Sequence, residues 1–220
     1  MTTSLEAAEP LPPEYEIALS YTPSSVRDAA RSYLSLDRRL AQIVAQTNEP
    51  MLGQMRLAWW RDVFETPIAE RPRGDLVLEA IGQQWAGHEQ PLIAMVDAWE
   101  EMLAEPPLPR EAALHFAKGR AAGFLALAQM VLPELDVVKF MHAGYAWALT
   151  DAAAHIPDGE ERDMLLSSAR SFSPLPRYPK PMRGVAILDA LARRAIAKGG
   201  RPLMEGRGAA LTAFKTGLLG

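Results

Sequence analysis

The sequence of 220 residues contains no cysteine. Disulfides, thiol nucleophiles, CxxC redox pairs and cysteine-ligated zinc are therefore excluded. It has no apolar run near the ~20 residues that a membrane span requires. Residues 1–16 carry acids and prolines and no basic stretch, unlike a secretory leader. A soluble, cytoplasmic protein is the expectation. The phosphate-loop, dinucleotide, GxSxG and HExxH patterns are missing. No segment sustains the alternation that marks a half-buried strand, and there is no internal repeat. The histidines, His88, His115, His142 and His155, are spaced too widely to read as a metal site.

Apolar residues make up 49% of the chain and charged residues 23%, an ordinary globular composition. Eighteen prolines divide it into segments that read as helices. Residues 1–21, with Pro10, Pro12 and Pro13, read as a poorly ordered arm, and residues 22–220 as a single domain. Thr22-Pro23 reads as a cap and first helical residue, opening a helix to about Thr47. Val26, Ala30, Tyr33, Asp37, Leu40 and Val44 recur on one face of it. Further helices are expected over 51–64, 75–85, 91–103, 110–132, 134–156, 160–171, 184–198 and 208–219. The segments 110–132 and 140–155 carry so little charge that they read as central. PLPRYPKP at 174–181 reads as extended. The sum is an all-α bundle.

Net charge is −4 but unevenly spread. Residues 1–160 hold 12 Lys/Arg against 23 Asp/Glu, and residues 161–220 hold 11 against 4. The basic end either packs on the acidic body or meets an anionic membrane surface through Arg183, Arg193, Arg194, Lys198, Arg201 and Arg207. No nucleic-acid partner is expected.

Three groups of residues could carry chemistry. Asp37 interrupts an apolar stripe, and a buried carboxylate needs a partner. Arg120 or Lys118 could supply it, as a structural ion pair or as part of a ligand site. Asp97, Glu100, Glu101 and Glu105 cluster on one helix, where i, i+4 pairs could hold Mg²⁺ or simply face water. Trp59 and Trp60 are adjacent and point about 100° apart, so one can line an interior while the other packs a neighbouring helix.

EPMLGQMRLAWWRDVFE (49–65) resembles a segment of the squalene/phytoene synthase family, including its bacterial members and the related assembly factors of respiratory complex I. SYLSLDRRLAQIV (32–44), HFAKGRAAGFLALAQMVL (115–132) and AGYAWALTDAAAHIPDG (143–159) are similar to other core helices of that family. The resemblance covers about residues 22–160. It implies an isoprenoid-synthase bundle around a deep apolar cavity. Active members condense allylic diphosphates with Mg²⁺ held by two DxxxD motifs on facing helices. At the positions matching those aspartates this sequence has Leu40, Val44, His155 and Gly159. The chain also continues less far after them than active members do.

The implied reading is a degenerate member without metal or cofactor that binds an isoprenoid or lipid chain, or a protein partner. Its ligand-pocket candidates are Tyr33, Asp37, Trp59, Trp60, Arg120, Gly123, Trp147, Asp151 and His155. The alternative is an active Mg²⁺-dependent prenyltransferase using Asp37, Asp97, Glu101, Asp151 and Asp158.

Overall fold

A computed structural model describes residues 10–134, 137–174 and 177–219. Among these residues the chain is built of α-helices and short 3₁₀ turns, with no strand. The helices are α1 (Pro13–Ser20), α2 (Ser24–Ala45), α3 (Pro50–Glu65), α4 (Leu76–Gln84) and α5 (Gln90–Glu101), then α6 (Arg110–Val131), α7 (Val137–Ala153), α8 (Glu160–Ser171), α9 (Arg183–Ala197) and α10 (Gly208–Leu219).

Helices α6 and α7 lie side by side at the centre. Helix α5 packs on the far side of α6, and α8 and α9 pack on α7. Helix α2 crosses α4, α5 and α6, and α10 lies on α9. The stripe on α2 forms for the reason its spacing suggests. Val26, Ala30, Tyr33, Asp37 and Leu40 are buried together, with Leu34 and Leu36 widening the face. Helix α6 is apolar nearly all round, yet Leu114, Lys118 and Met130 reach the surface. At Gly119 a β-carbon would overlap the Ala94 carbonyl, so glycine sets the close approach of α5 and α6.

Three sequence expectations need correction. Residues 13–20, read as part of a poorly ordered arm, form α1, which packs on α9 and α2. Leu11, Tyr15, Ala18 and Leu19 share the helical spacing and are all buried. Pro13 falls in the first turn, where a proline costs no hydrogen bond. The arm's residues 1–9 lie outside the described residues. Pro23, not Thr22, takes the cap position of α2, and the Thr22 hydroxyl instead donates back to the Ala18 carbonyl at 2.9 Å. Within the stretch read as extended, Lys180–Met182 forms a 3₁₀ turn after Pro179, while residues 175–176 lie outside the described residues.

Candidate functional site

The polar centre of the bundle is Arg120, which is 2% exposed. The helical turn of α6 aims it at the stripe of α2, where Asp37 is equally buried. Arg120 Nε donates to Asp37 Oδ1 at 2.7 Å and Nη2 to Oδ2 at 2.8 Å. This is the two-pronged geometry in which guanidinium and carboxylate bind most strongly. Nη2 also reaches Asp151 Oδ2 on α7 at 2.6 Å and the Tyr15 hydroxyl on α1 at 3.1 Å. Nη1 donates to the Ala148 carbonyl at 3.3 Å.

Asp37 is equally well met. Besides Arg120, it accepts from Trp99 Nε1 at 2.9 Å and from the Tyr15 hydroxyl at 3.1 Å. The guanidinium carbon lies 4.3 Å from the ring centre of Trp147, 5.0 Å from Trp99 and 5.6 Å from Phe116. Aromatic faces carry negative charge, so this cage favours a cation. Burial opposes the charge on Arg120, but Asp37, Tyr15 and Asp151 outweigh it and hold its pKa well above the usual value. Burial, reinforced by the two carboxylates, likewise pushes the Tyr15 phenol well up.

Tyr33, one turn before Asp37, closes the network from the side. Its hydroxyl donates to the Arg120 carbonyl at 2.5 Å and accepts from the Gly123 amide at 3.1 Å. At the rim, His155 Nδ1 lies 2.8 Å from the Asp151 carbonyl oxygen. Glu14, half-buried on α1, completes the rim. Burial raises its carboxyl above the ordinary value, and the Asp151 charge adds to this while His155 and Arg38 oppose it.

The site thus brings together Tyr33, Asp37, Arg120, Gly123, Trp147 and Asp151, with the exposed His155 at its edge. It does not include the tryptophan pair. Trp60 is buried against Phe64, and Trp59 stands 41% exposed on the outer side of α3. Lys118 faces solvent, two residues and about 200° of helix away from Arg120. Sequence reasoning missed Tyr15, Trp99 and Glu14. Tyr15 and Glu14 fell in the arm, and only the Leu11–Tyr15–Ala18–Leu19 spacing marked that segment as helical.

The remaining acids are dispersed among cations. Arg61 on α3 binds Asp97 at 2.7 Å and Glu100 at 2.6 Å. Glu101 meets His115 at 2.6 Å, and Asp158 pairs with Arg162. Leu40 is fully buried core and Val44 half-buried, while His155 and Gly159 are exposed. Among the described residues no three His, Asp or Glu side chains converge as metal ligands.

The family model for squalene/phytoene synthase matches residues 13–163, from the start of α1 into α8. The chain belongs to that family. No curated protein and no solved structure matches it. The all-α bundle is the architecture expected of a squalene/phytoene synthase relative. Arg120 and its partners Tyr15, Asp37, Trp99 and Asp151 all lie inside the matched span, whereas α9 and α10 lie outside it.

Proposed function

We propose that this squalene/phytoene synthase family member does not turn over diphosphates and works by binding a protein partner, in the manner of an assembly factor. The observation that carries the reading is the double engagement of Arg120 by Asp37 and Asp151. Metal-assisted ionisation needs acids whose free lone pairs converge on a phosphate-bound cation. Here the two interior acids that do converge are spent on a buried guanidinium. Magnesium does not fit this donor set: Asp37 already accepts from Arg120, Trp99 and Tyr15, and an apolar Leu40 fills the next turn.

The outer face of α3 supports a protein partner. Met51, Leu52, Met55 and Trp59 are all exposed there. Ile43, Met55, Arg56, Trp59 and Trp60 line an open groove of about 370 Å³. Methionine adapts to varied surfaces, and tryptophan is enriched among residues that dominate binding energy. The interior supports a bound chain less well. Its apolar slot between α1, α2, α6 and α9 holds about 30 Å³, against the 300 Å³ or so at the lower end of small-molecule pockets. An isoprenoid or lipid chain would enter that slot only if those helices part.

Calorimetric titration with a non-ionisable thio analogue of farnesyl diphosphate, with and without Mg²⁺, tests the reading. The expected result is no Mg²⁺-dependent binding. Mg²⁺-dependent binding that Asp151→Asn removes would contradict it.

A further inference from the structure

Helix α10 has two apolar faces of different kinds. Ala209, Ala213 and Gly217 are spaced four apart and buried against the body. The ring of Tyr21 lies against Gly217, where any side chain would collide with it. On the opposite side Leu211, Phe214 and Leu218 are 71%, 55% and 66% exposed. Their i, i+3, i+7 spacing makes a single stripe along the outer side of the helix. Scattered exposed leucines need no explanation, but a contiguous stripe marks a contact surface.

The end of this stripe runs into a basic hollow. Arg177, Lys180 and Arg183 line it with Tyr178, Pro179 and Leu219, enclosing about 360 Å³. Leu219 is also the last residue of α10, so the basic and apolar surfaces are continuous. Among the described residues, none of the three cations forms a salt bridge. Arg183 Nε is moreover buried without a hydrogen-bond partner. An unpaired buried donor is costly, and the guanidinium that carries it lines the hollow where an anion would bind. Arg207 and Lys215 add positive charge along α10, and residues 206–220 contain no acid. Arg193 pairs locally with Asp189, within α9.

We propose that α10 and the adjoining hollow dock the protein on an anionic lipid surface. Leu211, Phe214 and Leu218 enter the boundary between headgroups and acyl chains. Arg177, Lys180 and Arg183 take the lipid phosphates. An apolar stripe flanked by cations is the arrangement that lies in a membrane interface without crossing it. No described helix is long and apolar enough to span a bilayer. The docking face lies outside the span matched by the family, and uses neither α3 nor the Arg120 network.

Sedimentation with vesicles tests this directly. One set is phosphatidylcholine alone, and the other is equal parts phosphatidylcholine and phosphatidylglycerol. The intact protein should pellet with the anionic vesicles and remain soluble with the neutral ones. Each cation near such a surface is worth roughly a fivefold change in partitioning. The triple variant Arg177→Gln, Lys180→Gln, Arg183→Gln should therefore bind roughly a hundredfold more weakly. Phe214→Ser with Leu218→Ser should also release the protein while leaving its circular dichroism unchanged. Should that pair disturb folding, Phe214→Trp reads the same contact, with a blue-shifted emission on anionic vesicles. Equal binding to both vesicle types, or none to either, would overturn the proposal. So would binding of inorganic phosphate without vesicle binding, or a concentration-dependent dimer dispersed by Phe214→Ser, which would assign the face to a second copy.

Discussion

The ring of Tyr33 occupies the volume that a β-carbon at position 123 would need. The Gly123 amide donates to the Tyr33 hydroxyl at 3.1 Å, so contact and hydrogen bond lock α2 to α6 at one point. Gly123→Ala forces either the ring or the helix to move. Overpacking of this kind costs about 1–3 kcal/mol. Urea denaturation should register that loss, and Tyr33→Leu in the same chain should recover part of it through a coupling between the two sites. A neutral Gly123→Ala would mean the helices stand further apart than described.

Asp37 and Arg120 should behave as a unit. Removing one partner of a buried pair strands the other, at about 3–5 kcal/mol. Asp37→Leu and Arg120→Met are each expected to lower stability by that amount. The double variant Asp37→Leu, Arg120→Met should lose less than the two singles together, because only the partly exposed Asp151 is then left without its guanidinium. Additive losses in a denaturant double-mutant cycle would show that the pair does not act together.

Alkaline pH should unfold the protein through its buried tyrosines. Burial, followed by the charge of Asp37, holds both the Tyr33 and Tyr15 phenols above the ordinary value of 10.0. In the unfolded chain both ionise near pH 10. Above that point the unfolded state binds fewer protons than the native state, so stability falls as pH rises. The contribution is intact below about pH 10 and drains away above it. Denaturation midpoints measured across this range should therefore drop steeply past pH 10, and less steeply in Tyr33→Phe. Native tyrosinate absorbance developing for all five tyrosines at their ordinary pH would contradict the burial.

Much of this was legible in the residues. Nine of the helical segments follow from proline breaks and apolar spacing, and the all-α class follows from them. The Asp37–Arg120 pair was legible because a carboxylate on an apolar stripe admits few solutions. Lys118, the other candidate partner, was not distinguishable from Arg120 without the register of α6. Asp151 was visible as a nearby acid, but that it shares the guanidinium with Asp37 depends on how α7 sits against α6. Trp99 carried no signal, since an indole on an apolar helix face reads as core whether or not its N–H has a task. The N-terminal segment misled because prolines at a helix start resemble prolines in a loose arm. Adjacent tryptophans on α3 told only that their faces differ, and packing decided that Trp60 is buried while Trp59 is exposed.

On the proposed reading the family's fold is kept while Asp37 and Asp151 serve Arg120 instead of a metal. The most direct test is diphosphate release over time from farnesyl and geranylgeranyl diphosphates, with and without Mg²⁺. Losing one well-placed electrostatic stabiliser commonly costs about 10²–10³ in rate, and the resemblance puts Leu40, Val44, His155 and Gly159 where active members carry their ligands. No release above the uncatalysed background is expected. Leu40→Asp with Val44→Asp should not restore it and should destabilise the fold, since Leu40 is fully buried. Magnesium-dependent release that EDTA abolishes and Asp151→Asn removes would contradict the account.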